Sequence, residues 1–199
     1  MQKLLVATKN KGKLVEFQAV FGDLGFKLIG LDEVKNVLPE VRETGETFEE
    51  NACIKAVAYG DASGELTIAD DSGLIVDALN GRPGVYSARY APSVNERNVK
   101  LLTEMEGVPD EDRIARFVSV TCLYNPENKS CIESRGEVEG AIAYGIKGEK
   151  GFGYDPVFFS FELNKTFGEA SDEEKNSVSH RARALEKLKE MIKSSNKDS

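Results

Sequence analysis

The stretch from Leu66 to Ala91, LTIADDSGLIVDALNGRPGVYSARYA, limits what this chain can fold into more than any other. Leu66 to Ala69 is short, apolar and partly β-branched, the composition of a buried strand, and it leads directly into two adjacent carboxylates, Asp70 and Asp71. Ser72 and Gly73 are turn formers, so the strand is expected to end at the acids and an extended run to resume from Gly73 to Leu79. Two acids at the carboxyl end of a buried strand lie where α/β sheets bind ligands. Taken alone, Asp-Asp-Ser-Gly is equally an ordinary solvated turn, so the decision falls to the rest of the chain.

At 199 residues the chain suits one folding unit, expected over 1–193 with a frayed tail at 194–199. A net charge of −8 argues against a protein that grips a nucleic-acid backbone, which needs a basic stripe. An anionic substrate stays open, because one magnesium ion and a few lysines reverse the field locally. Cys53, Cys122 and Cys131 form no C-x-x-C pair and read as reduced thiols of a cytosolic protein. Zinc is not expected with His180 the sole histidine. The first apolar run, Leu4 to Ala7, is too short for a signal-peptide core. No stretch approaches the ~20 apolar residues of a membrane span, so a cytoplasmic location is expected.

Lys3 to Ala7 predicts a strand, followed by the loop Thr8-Lys9-Asn10-Lys11-Gly12-Lys13 and a helix marked by Leu14, Phe17, Phe21 and Leu24. Thr8 and Asn10 are N-cap types. The loop is therefore expected to present backbone N–H groups and the positive end of a helix beside three lysines, an anion site in outline without the Walker spacing. Phe26 to Leu31 predicts a second strand. Thr47-Phe-Glu-Glu50 is a capping box whose helix should reach about Gly60, burying Phe48, Ala52, Ala56 and Tyr59 while Asn51 and Lys55 share another face. Ser93-Val-Asn-Glu96 opens a further helix, to about Glu106, with Val99, Leu102 and Met105 inward. Arg113–Tyr124 and Ser130–Tyr144 predict an antiparallel hairpin with Val118, Val120, Cys122 and Tyr124 on one face. The glycine-dense segment from Gly145 to Phe159 permits close backbone approach to a ligand but is not a dinucleotide fingerprint, since no helix follows. Ser171-Asp-Glu-Glu174 caps the last helical element, with Val178, Ala182, Leu185, Leu188 and Ile192 inward and His180 and Arg181 off that stripe.

Ala7 to Lys13, Glu43 to Asn51 with Lys55, Ala69-Asp-Asp-Ser-Gly-Leu74, Gly151-Phe-Gly-Tyr-Asp-Pro156 and Ser179-His-Arg181 are each weak signals. In this order and spacing they resemble the inosine triphosphate pyrophosphatase, or Ham1-like, family. Lys9 is one departure, standing where bacterial members more often have Gly or Asn. The resemblance implies an α/β fold: an elongated mixed β-sheet with flanking helices and two lobes around a central substrate cleft. It also implies a homodimer, Mg²⁺ dependence, and hydrolysis of ITP, deoxy-ITP and XTP to the monophosphate and pyrophosphate. It makes Asp71 the proton acceptor for the attacking water. Magnesium, which favours one or two carboxylates plus phosphate oxygens, is assigned to Glu43 and Asp71. Asp70 is expected to orient the water or to hold the metal through water. Thr8 to Lys13 would cradle the phosphates, with Lys55, Lys175 and Ser72 adding contacts. Phe152, Gly153, Tyr154, Asp155, His180 and Arg181 would surround the purine. Two other readings stand beside it: a Maf-like pyrophosphatase for pyrimidine or modified nucleotides, and a nucleotide- or RNA-binding module without turnover, of which the acidic balance disfavours RNA.

Overall fold

The computed structural model describes residues 2–22 and 24–195. Its elements run β1 (Lys3–Val6), α1 (Lys11–Phe21), β2 (Lys27–Ile29), α2 (Phe48–Ser63), β3 (Leu66–Val76), α3 (Val94–Glu104), β4 (Ile114–Asn125), β5 (Ser130–Ile142), β6 (Phe158–Ser160), β7 (Lys165–Thr166), α4 (Asp172–Val178) and α5 (His180–Ser195). The strands form one seven-stranded sheet in the order β2-β1-β3-β4-β5-β6-β7. Strand β1 lies parallel to β2 and β3, whereas β6 is antiparallel to β5 and β7. The fold is thus α/β with a mixed sheet, and α1 supplies the crossover that a parallel β1–β2 pair requires. Among the described residues no helix is long and apolar enough to cross a membrane.

Two compact units divide the chain. The first comprises the residues up to Asp71, Ser119–Gly136 and those from Arg181 onward. Its core joins Leu4, Val6 and Ile68 of β1 and β3 to Phe17 and Phe21 of α1 and to Leu185, Leu188 and Ile192 of α5. On another face α2 comes so close to β4 that a Cβ on Gly60 would lie 2.5 Å from the Tyr124 ring. The second unit comprises Ser72–Val118 and Glu137–His180, and its core gathers Leu74, Leu101, Met105, Phe117, Val138 and Phe158.

Several expectations change. Strand β3 does not stop at the acids: it runs unbroken through Asp70-Asp71-Ser72-Gly73 to Val76. Turn chemistry is a local preference, and here long-range pairing overrides it. Leu66 to Ile68 pair with β1, and further along Leu74 N donates to Ser87 Oγ at 2.9 Å. On α3 the buried positions are Asn98, Leu101 and Met105, and Val99 is 49% exposed, because it lies about 100° around the helix from Asn98. Residues 117–124 of β4 are all buried, so both faces of that strand are covered instead of one. The last element is two helices: Ser179 is extended (φ −68°, ψ 150°) and separates α4 from α5. One apolar stripe in the sequence therefore serves two cores, Val178 in the second unit and Leu185, Leu188 and Ile192 in the first. Ser194 and Ser195 belong to α5, and 196–199 lie outside the described residues.

Candidate active site

In the first unit the acidic pair on β3 is divided by the pleat, since successive side chains of a strand point to opposite faces. Asp70 is 2% exposed, and its Oδ2 accepts from Lys13 Nζ at 2.8 Å and Arg181 Nε at 3.1 Å. Arg181 also donates from Nη1 to Glu16. Lys13 and Glu16 stand three apart on α1 and so share a face. Burial pushes the Asp70 carboxyl up, but Lys13, Arg181 and Lys55 outweigh it and hold the group well below the usual carboxylate range. Asp70 is therefore ionised at any working pH and is a poor proton acceptor. Burial in turn lowers Lys13, with Asp70 opposing.

Asp71 has other partners and titrates in the opposite direction. Its Oδ1 stands 3.4 Å from Lys55 Nζ, which donates at 2.6 Å to Glu43 Oε1. Burial raises the Asp71 carboxyl; Lys55 pulls it down and Glu43 pushes it up, for a net rise. Burial also lowers Lys55, but Asp71, Asp70 and Glu43 more than reverse this and keep it protonated. Asp71 Oδ2 and Asp70 Oδ1 are buried without a hydrogen-bond partner among the described residues. Carboxylate oxygens are the donor set magnesium takes, so the open Oδ2 of Asp71, with the Glu43 carboxylate on the same lysine, fits such an ion. Thr47 caps α2 by accepting from Glu50 N at 3.1 Å, which sets the helix that carries Lys55. Buried Asn51 clamps the incoming segment, its Oδ1 accepting from Gly45 N at 2.8 Å and its Nδ2 donating to Gly45 O at 3.4 Å.

A family model described as "Ham1 family" matches residues 4–191, spanning every one of these side chains. The chain belongs to the Ham1 family. It is 49% identical over 195 residues to a dITP/XTP pyrophosphatase of Geobacter sulfurreducens, covering 96% of this chain and 97% of that one. A dITP/XTP pyrophosphatase of Oceanobacillus iheyensis is 44% identical over 197 residues, covering 96% and 98%. The solved structure of a Ham1 protein from Coxiella burnetii superposes with a TM-score of 0.89 at 40% identity, covering 98% of this chain and all of its own.

In this Ham1 chain the loop before α1 is organised differently from the sequence expectation. Asn10 Oδ1 accepts from Gly12 N at 2.9 Å and Lys13 N at 3.4 Å, and Thr8 Oγ1 accepts from Asn10 N at 3.1 Å. These N–H groups are engaged by the loop's own side chains, and Lys13 is turned onto Asp70, so the loop is not the open row of backbone donors that the sequence predicted. Thr8 and exposed Lys9 line a cavity of about 590 Å³ with Leu14, Leu31, Pro39 and Tyr59. The Lys11 side chain lies outside the described residues.

The second unit of the Ham1 chain holds a separate cluster. Gly151 (φ 74°) and Gly153 (φ 64°) flank Phe152, whose backbone N donates to Asp155 Oδ2 at 2.6 Å. Lys175 Nζ donates to the same oxygen at 2.7 Å and stands 4.3 Å from the Phe152 ring centroid. Asn98 Nδ2 donates to Gly153 O at 3.1 Å, and Tyr154 OH donates to Ser87 O at 3.0 Å. The His180 ring stacks on Phe117 at 4.8 Å. Ser72 is half-buried on β3. Lys175, expected on the triphosphate, thus holds Asp155 and faces Phe152. Arg181, expected at the base, is buried on Asp70 and Glu16. Sequence reasoning assigned no role to Glu16, Asn51 or Asn98. The available signals were the i, i+3 spacing from Lys13 for Glu16 and a place within the Glu43 to Asn51 motif for Asn51.

Proposed function

We propose that this chain hydrolyses ITP, deoxy-ITP and XTP to the nucleoside monophosphate and pyrophosphate, in a Mg²⁺-dependent reaction. The observation that carries the reading is the opposed environment of two neighbouring carboxylates, Asp70 held ionised and Asp71 made more basic, the separation that assigns acid–base roles. The names of the relatives support the substrate class. In the reaction the water oxygen bonds to the α-phosphorus as the bond from phosphorus to the α–β bridging oxygen breaks. That oxygen leaves with its electron pair on pyrophosphate, and the water's proton passes to Asp71. Glu43 and Asp71 would hold the magnesium ion, which would neutralise charge at the phosphate oxygens. Lys55 holds Glu43 and Asp71 together. Arg181 and Lys13 position Asp70 and hold it ionised.

The purine is assigned to the cluster of Phe152, Gly153, Tyr154, Asp155 and His180. Stacking on an aromatic ring is worth about 1–3 kcal/mol for any base and so confers affinity without choice. Choice comes from donors to the 6-keto oxygen that adenine lacks, since a site left unpaired rejects the analogue by ~10⁴-fold. A homodimer and a cytoplasmic location belong to the same reading, on the family resemblance.

The test is pyrophosphate release with Mg²⁺ from ITP, deoxy-ITP, XTP, ATP and GTP in ¹⁸O-water. Rapid release from the first three, with the label in the monophosphate, is expected. Orthophosphate as product, label in pyrophosphate, or equal rates for ATP would overturn the reading.

A further inference from the structure

Three cysteines that no sequence spacing links meet within the first unit. Cys53 lies on α2 between Asn51 and Lys55, Cys122 is buried on β4, and exposed Cys131 lies near the start of β5. Their Sγ atoms all lie within 4.8 Å of one another, with Cys53 and Cys131 at 3.9 Å. Sulfurs bound to one ion at the zinc–thiolate distance stand about 3.8 Å apart in a tetrahedral site and about 4.0 Å apart in a trigonal one. A disulfide needs about 2.05 Å. The 3.9 Å between Cys53 and Cys131 fits co-ligands, and no pair in the cluster is wider than 4.8 Å, so small side-chain shifts bring all three onto one ion.

We propose that Cys53, Cys122 and Cys131 form a binding site for one thiophilic cation of the zinc class, distinct from the carboxylate site of Glu43 and Asp71. Three thiolates select Zn²⁺ over Mg²⁺ by softness. The fourth position falls to water or to Glu133, which lies two residues beyond Cys131 on the same face of β5 and acts electrostatically on Cys53 and Cys122. The balance is three thiols and one M²⁺ giving a tris-thiolate complex, each sulfur exchanging its S–H bond for an S–M bond and releasing one proton. Burial pushes the Cys122 and Cys53 thiols up, and Cys131 raises both further, so without a cation they are protonated. The ion would tie α2, which carries Asn51 and Lys55, to β4 and β5. Zinc was not expected from the sequence because His180 is its sole histidine; here three thiols from three separate elements stand together instead.

The test uses the reduced, metal-stripped chain titrated with Co²⁺ as a spectroscopic stand-in, without nucleotide, so that its outcome is independent of the proposed hydrolysis. A thiolate-to-cobalt charge-transfer band saturating at one equivalent, displaced by Zn²⁺ and lost in Cys131→Ser, is expected. Zn²⁺ should raise the melting temperature of the wild type and leave that of Cys131→Ser unchanged. Cys131 is exposed and Cys122 is buried, so Cys131→Ser removes a ligand without placing a hydroxyl in the core. No band in the wild type, a band that survives Cys131→Ser, or a Cys53–Cys131 disulfide forming in air in place of metal binding would overturn the proposal.

Discussion

Asp70 and Asp71 are neighbours in sequence with opposite titration behaviour, and their asparagine variants should separate accordingly. Asp71 has a raised folded pKa, so its contribution to stability is fully present below the unfolded carboxyl value and is lost as pH rises through the folded value. At neutral pH and without metal its charge opposes folding. Asp71→Asn should lose about 10²–10⁴-fold in ITP turnover and melt above the wild type; a lower melting temperature would contradict this. Asp70 has a depressed folded pKa, so its stability is present above about pH 4 and lost as pH falls below that value. Asp70→Asn leaves Lys13 and Arg181 buried without their carboxylate and should cost about 3–5 kcal/mol in denaturant titrations at pH 7. A loss below 1 kcal/mol would show that Glu16 alone suffices for Arg181.

Among elements, the helix starts followed from the sequence and the chain's course between them did not. Thr47, Ser93 and Ser171 each accept from the backbone N–H three residues on, as their S/T-x-x-E patterns predicted, because capping is decided within one turn. The break at Ser179 left no trace in periodicity, because the apolar stripe continues across it. The glycine turn around Phe152 offers a comparison between two positions of positive φ. A Cβ at Gly151 would lie 2.1 Å from Asp155 Oδ2, whereas one at Gly153 meets nothing within 4 Å. Gly153→Ala should cost about 1–2 kcal/mol of backbone strain. Gly151→Ala should cost more and also raise KM for ITP, because it displaces the carboxylate that holds Phe152 N and Lys175. Equal melting temperatures and equal KM for the two variants would refute this.

Across the whole molecule, a net charge of −8 coexists with lysines turned inward on carboxylates. The side chain of Lys13 is 16% exposed and that of Lys55 13% exposed. Screening acts on exposed charges over roughly 8 Å at physiological ionic strength and much less on buried pairs. The kcat/KM defect of Lys13→Ala should therefore persist from low salt to about 0.15 M. A defect that vanishes with salt would make Lys13 an exposed phosphate contact instead of the partner of Asp70.

Glu16, Asn51 and Asn98 apart, the amino-acid sequence by itself determined the mixed α/β class, the capped helix starts, the family and the two acids and the lysines of the candidate site. All of these are local patterns or ordered motifs, legible without knowing what pairs with what. Only the tertiary structure decided that β3 runs straight through its two acids, that Arg181 crosses 111 positions of sequence to reach Asp70, and that Cys53 meets Cys131 across 78. A carboxylate's basicity and a thiol's ligand partners depend on burial and on the nearest charges or sulfurs, and long-range strand pairing and helix packing supply both.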